Sequence, residues 1–155
     1  MRVTRRRGHA RIRLEAVESA LLTTLFDDLE GALQTLPGED PVRQRLFPAA
    51  YPGDDEATEE FRLLTEDSLR DGKAQRIGEC RAELPSGEGE IDLDGEAAQR
   101  WLTVLNDLRL VIGTSLDVSE DDDPAIDPAD PDAQLRAIYQ WLTALQDSLV
   151  HTLMG

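Results

Sequence analysis

Apolar residues recur at helical spacing in three stretches of nearly the same sequence. These are Trp101-Leu102-Thr103-Val104-Leu105-Asn106-Asp107, Trp141-Leu142-Thr143-Ala144-Leu145-Gln146-Asp147 and, without the Trp, Leu21-Leu22-Thr23-Thr24-Leu25-Phe26-Asp27. Each puts apolar groups at i, i+1 and i+4 and leaves the Asp on the wet side, the pattern of a helix that buries one stripe. The copies begin at 21, 101 and 141, multiples of 40 apart, as a helical repeat array would. Position 61 keeps only Phe61 and Asp67 of the pattern, however, with Thr65 where the second core Leu belongs. The three copies are therefore read as core helices of one domain.

The remaining periodicity fills in the other elements. A first helix is expected from about Glu15 to Leu36, with Val17, Leu21, Leu25, Leu29 or Ala32, Leu33 and Leu36 on one face, and Pro37-Gly38 ends it. Asp40-Pro41 supplies an N-cap and a first-turn proline for a short helix that runs to Phe47. After the turn Tyr51-Pro52-Gly53-Asp54-Asp55 a helix carries Ala57, Phe61 and Leu64 inward. The phase slips at Thr65, which predicts either a kink or a new cap, and Leu69, Ile77, Cys80 and Leu84 then share a face. The helix from Asp94 or Gly95 to about Ser115 buries Ala98, Trp101, Leu105, Leu108 and Ile112. The last, capped by Asp130-Pro131, carries Leu135, Ile138, Leu142, Leu145, Leu149 and Thr152 as an a/d seam.

Two short alternating segments stand out from this helical background. Ala10, Ile12 and Leu14 alternate with arginines, and Ile91 and Leu93 alternate with acids, each just ahead of a long helix. They either pair as a two-stranded ribbon or serve as extended lead-ins that never meet. The expected fold is mainly α: a single-domain antiparallel bundle of five or six helices, with room for that one short ribbon.

At 155 residues the chain is one ordinary domain, able to bury ~70% of the surface its unfolded form exposes. Its one cysteine excludes an internal disulfide framework. With neither a signal-peptide core nor a run of ~18 apolar residues, a cytoplasmic location and no membrane contact are expected. The charge changes the picture more. Six arginines and no acid fall within residues 1–13, which leaves ten bases against 32 acids, or −22, on the rest of a chain whose total is −16. Residues 1–9 read as a flexible basic arm, ahead of a helical domain over 10–155 with an acidic loop at 117–132. Arg5, Arg6 and Arg7 could meet nucleic-acid phosphate or an acidic protein surface, or fold back on the acidic body.

Candidate chemistry is sparse. The acidic loop lacks the spacing of a calcium site, and His9 and His151 have no Cys or Glu at zinc-ligand spacing. No Gly-x-Ser-x-Gly elbow occurs, and Pro85-Ser86-Gly87-Glu88-Gly89 surrounds its glycines with acids that repel phosphate. No enzyme, cofactor or metal is expected. Arg76 and Arg81 could activate Cys80 as a redox thiol, but its phase with Ile77 and Leu84 favours a buried structural role.

Several of these segments carry a resemblance. Arg45-Leu46-Phe47-Pro48-x-Ala50-Tyr51, Glu60-Phe61-Arg62-x-Leu64-Thr65-Glu66-Asp67, Trp101-Leu102-x-x-Leu105-Asn106-Asp107-Leu108-Arg109-Leu110 through Gly113-Thr114, and Trp141-Leu142-x-x-Leu145-Gln146 together resemble the actinobacterial AosR-type family of oxidative-stress regulators, formerly a domain of unknown function. The resemblance implies a helical regulator acting through a protein partner in transcription, such as a sigma factor. Direct DNA binding through the arginine arm is the alternative, a homodimer is compatible with either, and an enzyme acting on a small molecule has no support in the sequence. Disulfide sensing, suggested for the family, cannot close within a chain whose only thiol is Cys80. Arg62, Glu66, Asn106, Asp107 and Arg109 are polar positions on packing helices, expected to fix helix register through hydrogen bonds or to line a partner groove. Phe61, Trp101 and Trp141 are the anchors such a groove would use, if exposed.

Overall fold

The computed structural model describes residues 1–36, 40–47, 55–117 and 125–155; the side chains of residues 55–59, 61 and 62 lie outside that description. Its elements follow the chain as β1 (Arg2–Arg6), β2 (His9–Leu14), α1 (Ala16–Thr35), α2 (Pro41–Leu46), α3 (Asp55–Glu83), β3 (Gly89–Leu93), α4 (Gly95–Leu116) and α5 (Ala133–Met154).

The fold is mainly α, with one small antiparallel sheet of order β1-β2-β3. The expected ribbon forms: Ile12 of β2 lies opposite Ile91 of β3, and Ala10 opposite Leu93. Its inner face, Ala10, Ile12, Leu14, Ile91 and Leu93, is buried against the helices. The arm expected to be flexible instead supplies a third strand, β1, paired along its length with β2. Arg7 and Gly8 form the two-residue turn, both with positive φ (54° and 83°). That backbone twist matches the twist of the flanking strands, which is why such turns close hairpins.

Helix starts obey the local signals. Asp40 caps α2 by accepting from the Val42 N–H at 2.8 Å, with Pro41 in the first turn, and Asp94 caps α4 through Ala97 N–H at 2.8 Å. Glu15 and Glu18 form a reciprocal capping box at the start of α1. The predicted cap of α5 is displaced by two residues: Asp132 occupies the N-cap, while Asp130 accepts from the Asp132 N–H and from Arg136 Nε, both at 2.9 Å.

Helix α4 is the hub, packed against α5, α2, α3 and α1. Trp101 is fully buried and meets Phe26 edge-on, with ring centroids 5.6 Å apart and planes at 70°. The predicted face of α4 holds throughout, whereas that of α1 is rotated: Leu22, Leu25, Phe26, Leu29 and Leu33 are buried and Val17 is 70% exposed. Thr65 brings no break either. Helix α3 runs through it as one 29-residue element, and Leu64, read as inward, is 68% exposed. Along the described part of α3 the residues turned to the core are Glu66, Ile77 and Cys80, while Leu63 and Leu64 are exposed.

Candidate functional site

A cleft of about 460 Å³ opens between α2, α4 and α5. One face of α4 forms its floor, because Asn106, Arg109, Leu110, Gly113 and Asp117 recur every three or four residues. Arg45 of α2 and Tyr139 of α5 form its walls. Gly113 is there for space: a Cβ built on it would lie 3.1 Å from Tyr139 Cε2, so the missing side chain lets the ring approach the helix. Arg109 is held over that ring, 5.4 Å from its centroid, and donates through Nη1 to Gln146 Oε1 of α5. At the far end Asp117 closes α4 in a left-handed conformation (φ 54°, ψ 45°), its N–H reaching the Gly113 and Thr114 carbonyls.

The cleft carries two guanidinium groups, Arg45 and Arg109, against the single carboxylate of Asp117. It is a cationic recess with one aromatic wall, in a protein whose net charge is −16. A planar guanidinium braced by an aromatic ring and an amide oxygen is preorganised to take a carboxylate from a partner.

The polar positions expected to form one network are distributed over separate pairs. Asp107 is buried and receives two hydrogen bonds from Lys73 of α3, at 3.1 and 2.9 Å. Glu66 pairs with Arg43 of α2 at 2.8 Å. Arg109 pairs with Gln146, and Asn106 is exposed at the cleft. The first two pairs tie α3 to α4 and to α2, while Arg109 and Asn106 belong to the cleft. The Arg62 side chain lies outside the described residues.

Two of the three anchors change role. Trp101 is wholly interior, so it cannot meet a partner. Trp141 is half-buried and donates from Nε1 to Glu18 Oε2 at 3.0 Å, which closes α5 onto α1. The Phe61 side chain lies outside the described residues. The aromatic that lines the cleft is Tyr139, which stands two residues before Trp141 and three before Leu142 on the seam helix.

Cys80 is buried, and its thiol is pushed up to about 12, chiefly by burial and then by Glu83, with Arg100 opposing. The cation beside it is thus Arg100 rather than the expected Arg81, which is drawn away to Asp27 and Glu30 of α1. Arg5, Arg6 and Arg7 sit on β1 and its turn, all exposed.

The model of a family described as a domain of unknown function, DUF2017, matches residues 1–153. The chain belongs to this family. It is similar to the putative oxidative stress regulator AosR of Mycobacterium leprae (strain TN), at 30% identity over 130 residues that cover 76% of this chain and 60% of that protein. Against the oxidative stress regulator AosR of Mycobacterium tuberculosis (strain ATCC 25618 / H37Rv) it is 33% identical over 132 residues, 77% of this chain and 60% of the relative. The chain therefore spans about 60% of the length of the curated relatives it matches. No solved structure matches. The resemblance carried by the sequence motifs is thus to the family that matches, and six of the motif positions, Arg45, Asn106, Arg109, Leu110, Gly113 and Thr114, line the cleft. No helix among the described residues is long and apolar enough to cross a membrane.

Proposed function

We propose that this chain is a non-enzymatic regulator that acts by protein–protein contact in oxidative-stress-linked transcription control, and that the α2–α4–α5 cleft is its contact site. The observation that carries the reading is the convergence of Arg45, Asn106, Arg109 and Gly113 on one recess, in a relative of proteins named oxidative stress regulators. Arg and Tyr are the side chains that most often dominate binding energy at protein interfaces. Here they are supplied by three different helices, so the site exists only in the folded domain. Its chemistry suits a partner side chain carrying a carboxylate, flanked by an aliphatic residue that covers Leu110 and the Tyr139 ring.

The buried Cys80 bears on how a signal arrives. A thiol at about 12 holds almost no thiolate near neutrality and is poorly suited to meet an oxidant. The proposed role is that of an adaptor whose engagement depends on the state of its partner, a sigma factor or another transcription component.

Affinity capture with wild type and Arg109→Glu as baits, followed by direct titration of each captured transcription component, tests this. The expected result is a transcription component retained by wild type and lost by the variant, with both baits equally folded. Equal retention by the two baits would contradict the assignment of the cleft.

A further inference from the structure

The outer face of the sheet contains a recognition pattern used once and left open once. On β2, His9, Arg11 and Arg13 point outward. The acids of β3 and its approach meet them: Asp92 pairs with His9 at 2.9 Å and with Arg11 at 3.3 Å, Glu90 reaches both Arg11 and Arg13, and Glu88 pairs with Arg13 at 2.7 Å. Between those acids Ile91 and Leu93 turn inward to the core. A strand of alternating acid and apolar residues is therefore what the basic strand β2 accepts along one edge.

Strand β1, on the other side of β2, presents the same outward chemistry. Arg2, Thr4 and Arg6 lie opposite Arg13, Arg11 and His9. Two of these three pairs set like-charged or protonatable side chains side by side; the acids of β3 and its approach compensate the β2 members, Arg13 and His9, and leave Arg2 and Arg6 of β1 without a carboxylate of their own. Among the described residues, Arg2, Arg5, Arg6 and Arg7 have no ion-pair partner. The edge is also open in its backbone. In a hairpin closed by a two-residue turn, Arg6 and His9 form a hydrogen-bonded pair, so Thr4 and Arg2 also bond to β2, and the N–H and C=O of Val3 and Arg5 point away from it. No hydrogen bond from a described residue reaches those outward groups.

We infer that the free edge of β1 is a docking site for an extended segment of a partner protein in which acidic and apolar residues alternate, added as a fourth strand. Backbone bonds to Val3 and Arg5 supply the pairing, and the arginines select the acids. The same arginines oppose pairing with β1 of a second copy, because edge-to-edge contact would bring like charges together. The inference does not rest on the cleft, and variants in the cleft leave this edge intact.

The test uses a fluorescent peptide copying residues 87–94 of the chain, Gly87 to Asp94, titrated against the whole protein by anisotropy. The expected result is saturable binding that weakens at least tenfold in Arg2→Glu/Arg6→Glu and is restored when the peptide acids are replaced by Lys. Arg5→Pro removes an outward N–H without touching the β1–β2 ladder, and it should abolish binding, whereas Arg5→Ala should weaken it only slightly. Should Arg5→Pro fail to fold, a peptide N-methylated on the nitrogens that face β1 replaces it and should lose binding equally. No binding, or equal binding by a scrambled peptide of the same composition, would overturn the proposal. So would a duplex DNA oligomer that binds through Arg2 and Arg6 more tightly than the peptide, since that would make the face a nucleic-acid surface.

Discussion

Lys73, the only lysine of the chain, donates to both carboxylate oxygens of Asp107 across the α3–α4 interface, at 3.1 and 2.9 Å, and both side chains are nearly buried. Two charges taken out of water require each other. Removing either one leaves the other uncompensated, and a cost of about 3–5 kcal/mol follows for such pairs. Lys73→Met or Asp107→Leu alone should lower the denaturation midpoint strongly, whereas the double variant should be less destabilised than either single one. A double variant that is as unstable as the sum of the singles would mean that the two side chains do not act as a pair.

Cys80 predicts a thiol that reacts slowly with an alkylating reagent in the folded protein and rapidly in denaturant. Its linkage to stability has a definite sign. The folded thiol is raised from an ordinary 9.0 to about 12, so folding favours the protonated form. The stabilisation is complete below about 9 and is lost as pH rises from there toward about 12. Cys80→Ala should flatten the alkaline limb of the stability profile. Equal labelling rates with and without denaturant would contradict the burial.

Glu18 predicts the opposite limb. Burial alone would raise its carboxyl, but the Glu15 N–H, the Met1 ammonium at 2.9 Å and the Trp141 indole outweigh that and hold it below the ordinary 4.5. Because the folded value is depressed, its contribution is present above about 4.5 and lost as pH falls through the folded value. Glu18→Gln should reduce the acid dependence of the thermal midpoint, and Trp141→Phe should cost about 1 kcal/mol through the lost hydrogen bond. An unchanged acid limb in Glu18→Gln would contradict this role.

Local signals were the legible part of this protein. Asp40-Pro41 and Asp94 cap their helices as their chemistry requires, and the face of α4 follows from its spacing alone. The rotation of α1 was not legible, because both Leu21 and Leu22 suit a helical stripe and only the packing of Phe26 against Trp101 chooses between them. The hairpin was partly legible: Gly8 stands between a basic run with Val3 inside it and the alternating segment Ala10 to Leu14, a two-residue turn signal that the density of arginines obscured. Lys73 could not be found, since its partner lies 34 residues on and nothing local to either residue refers to the other. Six of the nine residues that line the cleft stand in the motifs. Tyr139 was missed because it enters from a separate helix, and only the glycine at 113 hinted that something large must lie against α4 there.

A transcription partner seated in the recess over Gly113 should be sensed by isothermal titration of that partner against the wild type and Gly113→Leu. A leucine at this position would occupy the cleft and displace the Tyr139 ring, without replacing any residue of the buried face of α4. The expected result is binding by wild type and a loss of at least tenfold, about 1.4 kcal/mol, in the variant, with similar thermal midpoints. Unchanged affinity in a folded Gly113→Leu variant would contradict it.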